Sequence, residues 1–235
     1  FYRAYLGRQI FRVHDAQLRT LGGELVPVAL SCAPLPSDQQ AMVVTVLDMS
    51  VVRHLHQQLE FQAVTDPLTG LLNRRGFYQT VENLLVRGER SERAWVLLYL
   101  DLDGFKRVND SLGHDAGDRA LRWVSEQLKT CLRPFDILAR MGGDEFTALL
   151  DLEFPEQAAK IAEKIIERVS VCQQIDGLDI ALGASIGIAT FPDCGSNLDG
   201  LLRAADIAMY EAKRACSLQY SYYVQEMNGR ARSRL

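Results

Sequence analysis

The sequence lacks any stretch long enough to cross a bilayer. Its longest uninterrupted apolar run, Ala94 to Leu100, has seven residues, where a spanning helix needs roughly 20. It also lacks a charged start followed by an apolar stretch and a small-residue cleavage site, so no secretion signal is visible. Cysteine is sparse and scattered: Cys32, Cys131, Cys172, Cys194 and Cys216 are odd in number and include no Cys-x-x-Cys pair. That argues against a disulfide framework or a zinc site, and makes the cytoplasm the expected compartment. No polybasic tract occurs, and 26 basic against 30 acidic side chains leave a net charge of −4. Nucleic acid is therefore a poor partner, and no membrane contact is expected from these residues. Repeats and low-complexity segments are absent as well.

What remains is an ordinary globular composition: 235 residues, 48% hydrophobic and 24% charged. This is enough for one domain plus part of a second. The first residue is Phe1, which suggests a piece of a longer protein. Residues 1–50 read as β-structure. Strands are expected over 9–20, 24–32 and 41–49, with Gly22-Gly23 as a tight turn. Three strands cannot close a core alone, so they resemble the back half of a domain. From Ser50 the period becomes helical: Val52, Leu55 and Leu59 recur at steps of three and four, with Ser50 as the expected N-cap. Residues 51–64 are either an amphipathic connector or a coiled-coil seam between two copies. Residues 65–224 alternate helices and strands, with an apparent hairpin at Ile137 to Leu150. The expected fold class is α/β (α+β): a mixed central sheet flanked by helices. Residues 225–235 are the start of a further linker.

Four acidic residues stand where strands should end. Asp101 and Asp103 follow the buried run, and Asp144 and Glu145 sit behind Gly142-Gly143. If the hairpin strands pair beside Ala94 to Leu100, the two clusters converge. Carboxylates without a His or Cys companion suit Mg²⁺ or Mn²⁺, and such a cation suits phosphates. Taken singly, each cluster is equally a solvated acidic turn. Backbone amides around Phe105, with Lys106 beside them, are suited to phosphate oxygens at a turn into a helix. Asn109 and Asp118 could read a purine, because a carboxylate accepting from a ring N–H selects guanine over adenine. Asp118 could instead cap the following helix.

Gly142-Gly143-Asp144-Glu145-Phe146 spells the signature of the GGDEF family of diguanylate cyclases, which the sequence resembles over about residues 64 to 224. Supporting pieces stand in order. They are Asp66-Pro67-Leu68-Thr69-Gly70-Leu71 with Asn73-Arg74-Arg75, Asp101-Leu102-Asp103 with Phe105-Lys106, and Asn109-Asp110. Gly113-His114 with Gly117-Asp118, Ser185 to Ala189, and Asp206 with Ala208-Met209-Tyr210 and Ala212-Lys213 complete the set. The strands before Ser50 resemble, less specifically, the C-terminal half of a PAS sensor domain.

The resemblance implies condensation of two GTP molecules into cyclic di-GMP with release of pyrophosphate, by a homodimer of such domains. By position, Asp101, the Leu102 carbonyl, Asp144 and Glu145 would hold Mg²⁺ (or Mn²⁺), and Asp144 would accept the hydroxyl proton. Asn109 and Asp118 would read guanine; the backbone near Phe105, Lys106 and Lys213 would hold phosphates. His114 lies close by, with a loop-ordering hydrogen bond as its expected role. Arg133-Pro134-Phe135-Asp136 matches the family's Arg-x-x-Asp inhibitory site, which implies product inhibition by cyclic di-GMP with Arg140 assisting. Two departures stand out. Ser217 occupies the place of an arginine that would hold phosphate, and Gly104 replaces a bulkier residue, with little expected effect. The tail from Tyr223 resembles a linker into an EAL phosphodiesterase domain. A non-catalytic GTP- or cyclic di-GMP-binding module controlling such a neighbour is therefore the alternative. An adenylyl-type cyclase or polymerase shares the metal logic but not the guanine-reading pair.

Overall fold

The structure is a computed structural model, and it describes residues 10–34, 41–88, 94–171, 173–175, 178–215 and 219–227. The positions of Ser217 and of the tail beyond Met227 lie outside the described residues. Packing divides the chain into two compact units, Phe1–Phe61 and Gln62–Leu235. Among the described residues no helix is long and apolar enough to cross a membrane.

The first unit is a three-stranded antiparallel sheet, β1 (Phe11–Arg19), β2 (Leu25–Pro34) and β3 (Met42–Asp48), in the order β1-β2-β3. Gly23, at φ +87°, makes the turn between β1 and β2. Only Val28 and Cys32 of β2 are buried, because three strands enclose little core. Helix α1 (Ser50–Val64) follows directly. Its cap is not Ser50: the Asp48 carboxylate accepts from the Ser50 N–H at 2.8 Å. The hydrogen bonds from Ser50 hold the Asp48 carboxyl below its usual range. Along α1, Val52, Leu55 and Leu59 are exposed, and Arg53 pairs with Asp15 of β1.

The second unit is built on a five-stranded mixed sheet. Its strands are β4 (Ala94–Asp103), β5 (Ile137–Gly142), β6 (Glu145–Leu152), β9 (Gly183–Phe191) and β10 (Tyr220–Tyr222). The order is β10-β9-β4-β6-β5, with only the β10–β9 pair parallel. A small hairpin of β7 (Gln173–Ile175) and β8 (Leu178–Ile180), not expected from the sequence, stands apart from it.

Central strand β4 explains itself. Successive side chains point to opposite faces, and both faces are covered, so the strand reads as an unbroken apolar run. Val96, Leu98, Leu100 and Leu102 face a core closed by three helices: α3 (Phe105–Leu112), α4 (His114–Cys131) and α5 (Gln157–Val169). Leu97 and Tyr99 face the opposite core, closed by α2 (Arg74–Gly88) and α6 (Leu198–Arg214). Helix α6 lies directly on β9, because a Cβ at Gly187 would stand 1.8 Å from the Ala205 carbonyl oxygen. The alternation that buries Tyr99 carries Asp101 and Asp103 onto the α2–α6 side.

Candidate active site

The acidic end of β4 meets the signature turn through strand register. Asp101 is the cross-strand partner of Glu145, and the Leu102 N–H donates to the Asp144 carbonyl at 3.3 Å. The turn itself needs its glycines, since Gly142 (φ +145°) and Gly143 (φ +52°) occupy conformations that side-chain-bearing residues rarely adopt. Asp144 feels the charge of Asp101. Burial first, and then the Asp101 charge, push the Asp144 carboxyl above its usual range. Burial and Asp101 do the same to Asp206 on α6, a residue for which the sequence suggested no role. Tyr99, two residues before Asp101, faces Glu145; burial and that carboxylate push its phenol upward.

Two groups relieve this crowding. The Lys213 ammonium, in the last turn of α6, lies 2.5 Å from Asp101 Oδ1 and 3.9 Å from Asp103 Oδ1. Ser185 Oγ donates to Asp103 Oδ2 at 2.8 Å. Lys213, expected on phosphate, thus lies on a carboxylate. Among the described residues, no three His, Cys, Asp or Glu side chains converge tightly enough to cage a metal ion. Asp101, Asp144 and Glu145 share one edge of the sheet. An oxygen-only donor set of mutually repelling carboxylates still fits Mg²⁺, which is ordinarily held by one or two carboxylates together with substrate phosphates and water.

The remaining nucleotide-reading candidates cluster at the α3–α4 joint, where Gly113 (φ +84°) ends one helix and begins the next. Asn109 Oδ1 lies so near Gly117 that a Cβ there would stand 1.9 Å away, and the Phe105 ring packs alongside. Asp118 follows on α4, so both polar groups belong to this joint. Lys106 is exposed on the first turn of α3. His114 is exposed at the start of α4. Helix α4 begins at His114, so Asp118 lies inside it and does not cap it. Gly104 matters more than its sequence suggested. It caps α3 at φ +85°, and a Cβ would meet the Arg107 guanidinium at 2.9 Å.

Arg133 and Asp136 close a turn on each other: the Arg133 N–H donates to Asp136 Oδ2 at 2.7 Å, and the Asp136 N–H to the Arg133 carbonyl at 3.0 Å. Burial pushes the Asp136 carboxyl up. Both residues line a cavity with Lys129, Leu132, Pro134 and Leu138. From Leu138 in its lining, the length of β5 up to Gly142, about 13 Å at the usual rise per residue, separates it from the acidic turn. Arg140 does not reach back to that cavity. Its guanidinium donates to both oxygens of Asp66, each at 3.1 Å, and to the Gly143 carbonyl at 3.0 and 2.8 Å.

The family described as "Diguanylate cyclase, GGDEF domain" matches residues 63–218 of this chain. The chain belongs to the GGDEF family. Two relatives from Pseudomonas aeruginosa bracket what such domains accompany. The bifunctional diguanylate cyclase/cyclic di-GMP phosphodiesterase MucR is 36% identical over 211 residues, 90% of this chain and 30% of that protein. The cyclic di-GMP phosphodiesterase NbdA is 35% identical over 186 residues, 77% of this chain and 23% of that protein. The chain thus spans less than a third of the length of these curated relatives. The crystal structure of the coiled coil and GGDEF domain of DgcB from Caulobacter crescentus, in complex with c-di-GMP, superposes with a TM-score of 0.68. It shares 27% identity and covers 74% of this chain and 93% of that one. The GGDEF domain here therefore sits among proteins of cyclic di-GMP turnover, with the mixed sheet and flanking helices that the sequence led us to expect.

Proposed function

We propose that this GGDEF domain is a diguanylate cyclase, condensing two GTP into cyclic di-GMP and pyrophosphate. The observation that carries the reading is the β4–β6 register, which brings Asp101 beside the Asp144–Glu145 turn. Asp101, the Leu102 carbonyl, Asp144 and Glu145 would hold Mg²⁺ or Mn²⁺. When bound, the metal would neutralise the triphosphate and lower the pKa of the attacking 3′-hydroxyl. Asp144 is the proton acceptor for that hydroxyl, and its raised pKa brings it closer to the range useful to a general base. Asn109 and Asp118 read the guanine edge; the backbone at Phe105, with Lys106 and Lys213, orients the phosphates, and His114 borders the same joint. No covalent intermediate with the protein is needed, so positioning is the domain's main contribution.

One domain offers one guanine-reading pair and one acidic edge, so the reaction calls for two domains facing each other across a two-fold axis. The exposed Val52, Leu55 and Leu59 of α1 would pair such copies under control of a PAS-like segment at 1–50, through a linker at 51–64. The cyclase domain is assigned to 65–224, with 225–235 leading toward a possible EAL domain. The Arg133–Asp136 cavity would bind cyclic di-GMP and inhibit turnover. Incubation with GTP and Mg²⁺, scored for cyclic di-GMP by chromatography, tests the proposal. Product should form, and Asp144→Ala with Glu145→Ala should abolish it. Nucleotide binding without product would instead favour a regulatory module beside a phosphodiesterase. The kinship with NbdA and the serine at 217 speak for that second reading.

A further inference from the structure

Lys213 is placed where a metal ion would have to go. Its ammonium lies 2.5 Å from Asp101 Oδ1, and the Asp101 side chain is only 16% exposed. A second carboxylate, Asp103, stands 3.9 Å away. Asp103 is itself anchored, because Ser185 occupies its other oxygen. One positive charge therefore serves two acids at the acidic edge. It is delivered by a flexible stem from the end of α6, with a third of the side chain open to solvent.

We infer that Lys213 is a tethered counter-ion that occupies Asp101 until nucleotide arrives, and is then handed over from the carboxylate to the triphosphate as the divalent cation takes its place. The inference rests on the proposed reading of Asp101 as a metal ligand. Its physical basis is competition. An ammonium paired with Asp101 Oδ1 at 2.5 Å competes with a metal ion for the negative charge of the same carboxylate. Displaced with no anion to go to, the Lys213 ammonium forfeits its close pairing with Asp101, and that loss opposes the metal. A triphosphate removes the cost by offering Lys213 a new anion at the moment the metal binds. Metal and nucleotide then bind with positive coupling, and the coupling is reciprocal. Lys213 acts with opposite signs on the two ligands: it opposes the metal alone and supports the nucleotide.

The test is calorimetric titration of Mn²⁺ into the full 235-residue chain without nucleotide, and again with a saturating non-hydrolysable GTP analogue. Lys213→Met should bind Mn²⁺ alone about tenfold more tightly than the parent, within the usual range of coupling between sites. It should bind the analogue more weakly, and the analogue should no longer improve its Mn²⁺ affinity. Lys213→Arg should resemble the parent, because it restores the competing charge. Lys213→Gln serves as a second neutral variant should Lys213→Met fail to fold. Mn²⁺ affinity in the neutral variants that is unchanged, weaker or undetectable overturns the inference. Turnover is not read in this titration. A chain that shows the handover but makes no product would leave the inference standing and defeat only the cyclase reading.

Discussion

Arg140 spans Asp66 and the Gly143 carbonyl, so the segment that enters the GGDEF domain is bolted to the turn that carries Asp144. Both partners are mostly buried, at 13% and 17% side-chain exposure. Burial alone would raise the Asp66 carboxyl; the hydrogen bonds from Thr69 and Arg140 outweigh it and hold the group below its ordinary 3.8. Removing one partner of such a pair strands the other, at a cost of about 3 kcal/mol. Arg140→Ala should lose that much stability in urea unfolding at pH 7, with Asp66→Asn non-additive to it in a double-mutant cycle. Because the folded pKa is depressed, the stabilisation from Asp66 is present above pH 3.8 and disappears as pH falls through the lower folded value. The gap between parent and Asp66→Asn should narrow accordingly in acid.

Asp144 has the opposite sign. Its folded pKa is raised, so its ionised form weakens the folded state at neutral pH, and the penalty disappears below 3.8, where both states are protonated. Asp144→Asn should therefore raise the melting temperature of the metal-free chain at pH 7 while removing turnover. The two melting curves should converge as pH falls toward 3.8. A fall in melting temperature at pH 7 would contradict the assigned crowding.

At the α3–α4 joint, Gly117→Ala should drive Asn109 from its position, because the added Cβ would lie 1.9 Å from Asn109 Oδ1. Overpacking of this kind costs about 1–3 kcal/mol. GTP affinity should fall while far-UV dichroism stays native. Equal loss of GTP and ATP binding would show that Asn109 does not read the base.

Arg133→Ala should weaken cyclic di-GMP binding by at least about tenfold, the scale of a lost charge-assisted contact, and leave initial turnover intact. Isothermal titration with cyclic di-GMP, beside initial rates, separates the two effects. Loss of both together would join this cavity to the reaction centre, which lies at the other end of β5.

Much of this was legible in the sequence, for reasons tied to particular residues. The run Ala94 to Leu100 announces a doubly covered strand, and the paired glycines before Asp144 announce a tight turn. Convergence of Asp101 with that turn follows once the hairpin pairs beside β4. Long-range partners were not legible. Nothing in the local pattern links Arg140 to Asp66, 74 positions away, or Lys213 to Asp101, 112 away. The steric roles of Gly117 and Gly104 likewise depend on side chains brought against them by folding. The N-terminal cap of α1 was not legible either, because the Ser50 N–H finds its acceptor on Asp48.

The most direct measurement is the anomalous scattering of Mn²⁺ in crystals of the chain grown with a non-hydrolysable GTP analogue. The account predicts an ion bonded to carboxylate oxygens of both Asp101 and Asp144 and to the triphosphate, with the guanine against Asn109 and Asp118. An analogue bound with no ion there, or an ion touching neither aspartate, would contradict it.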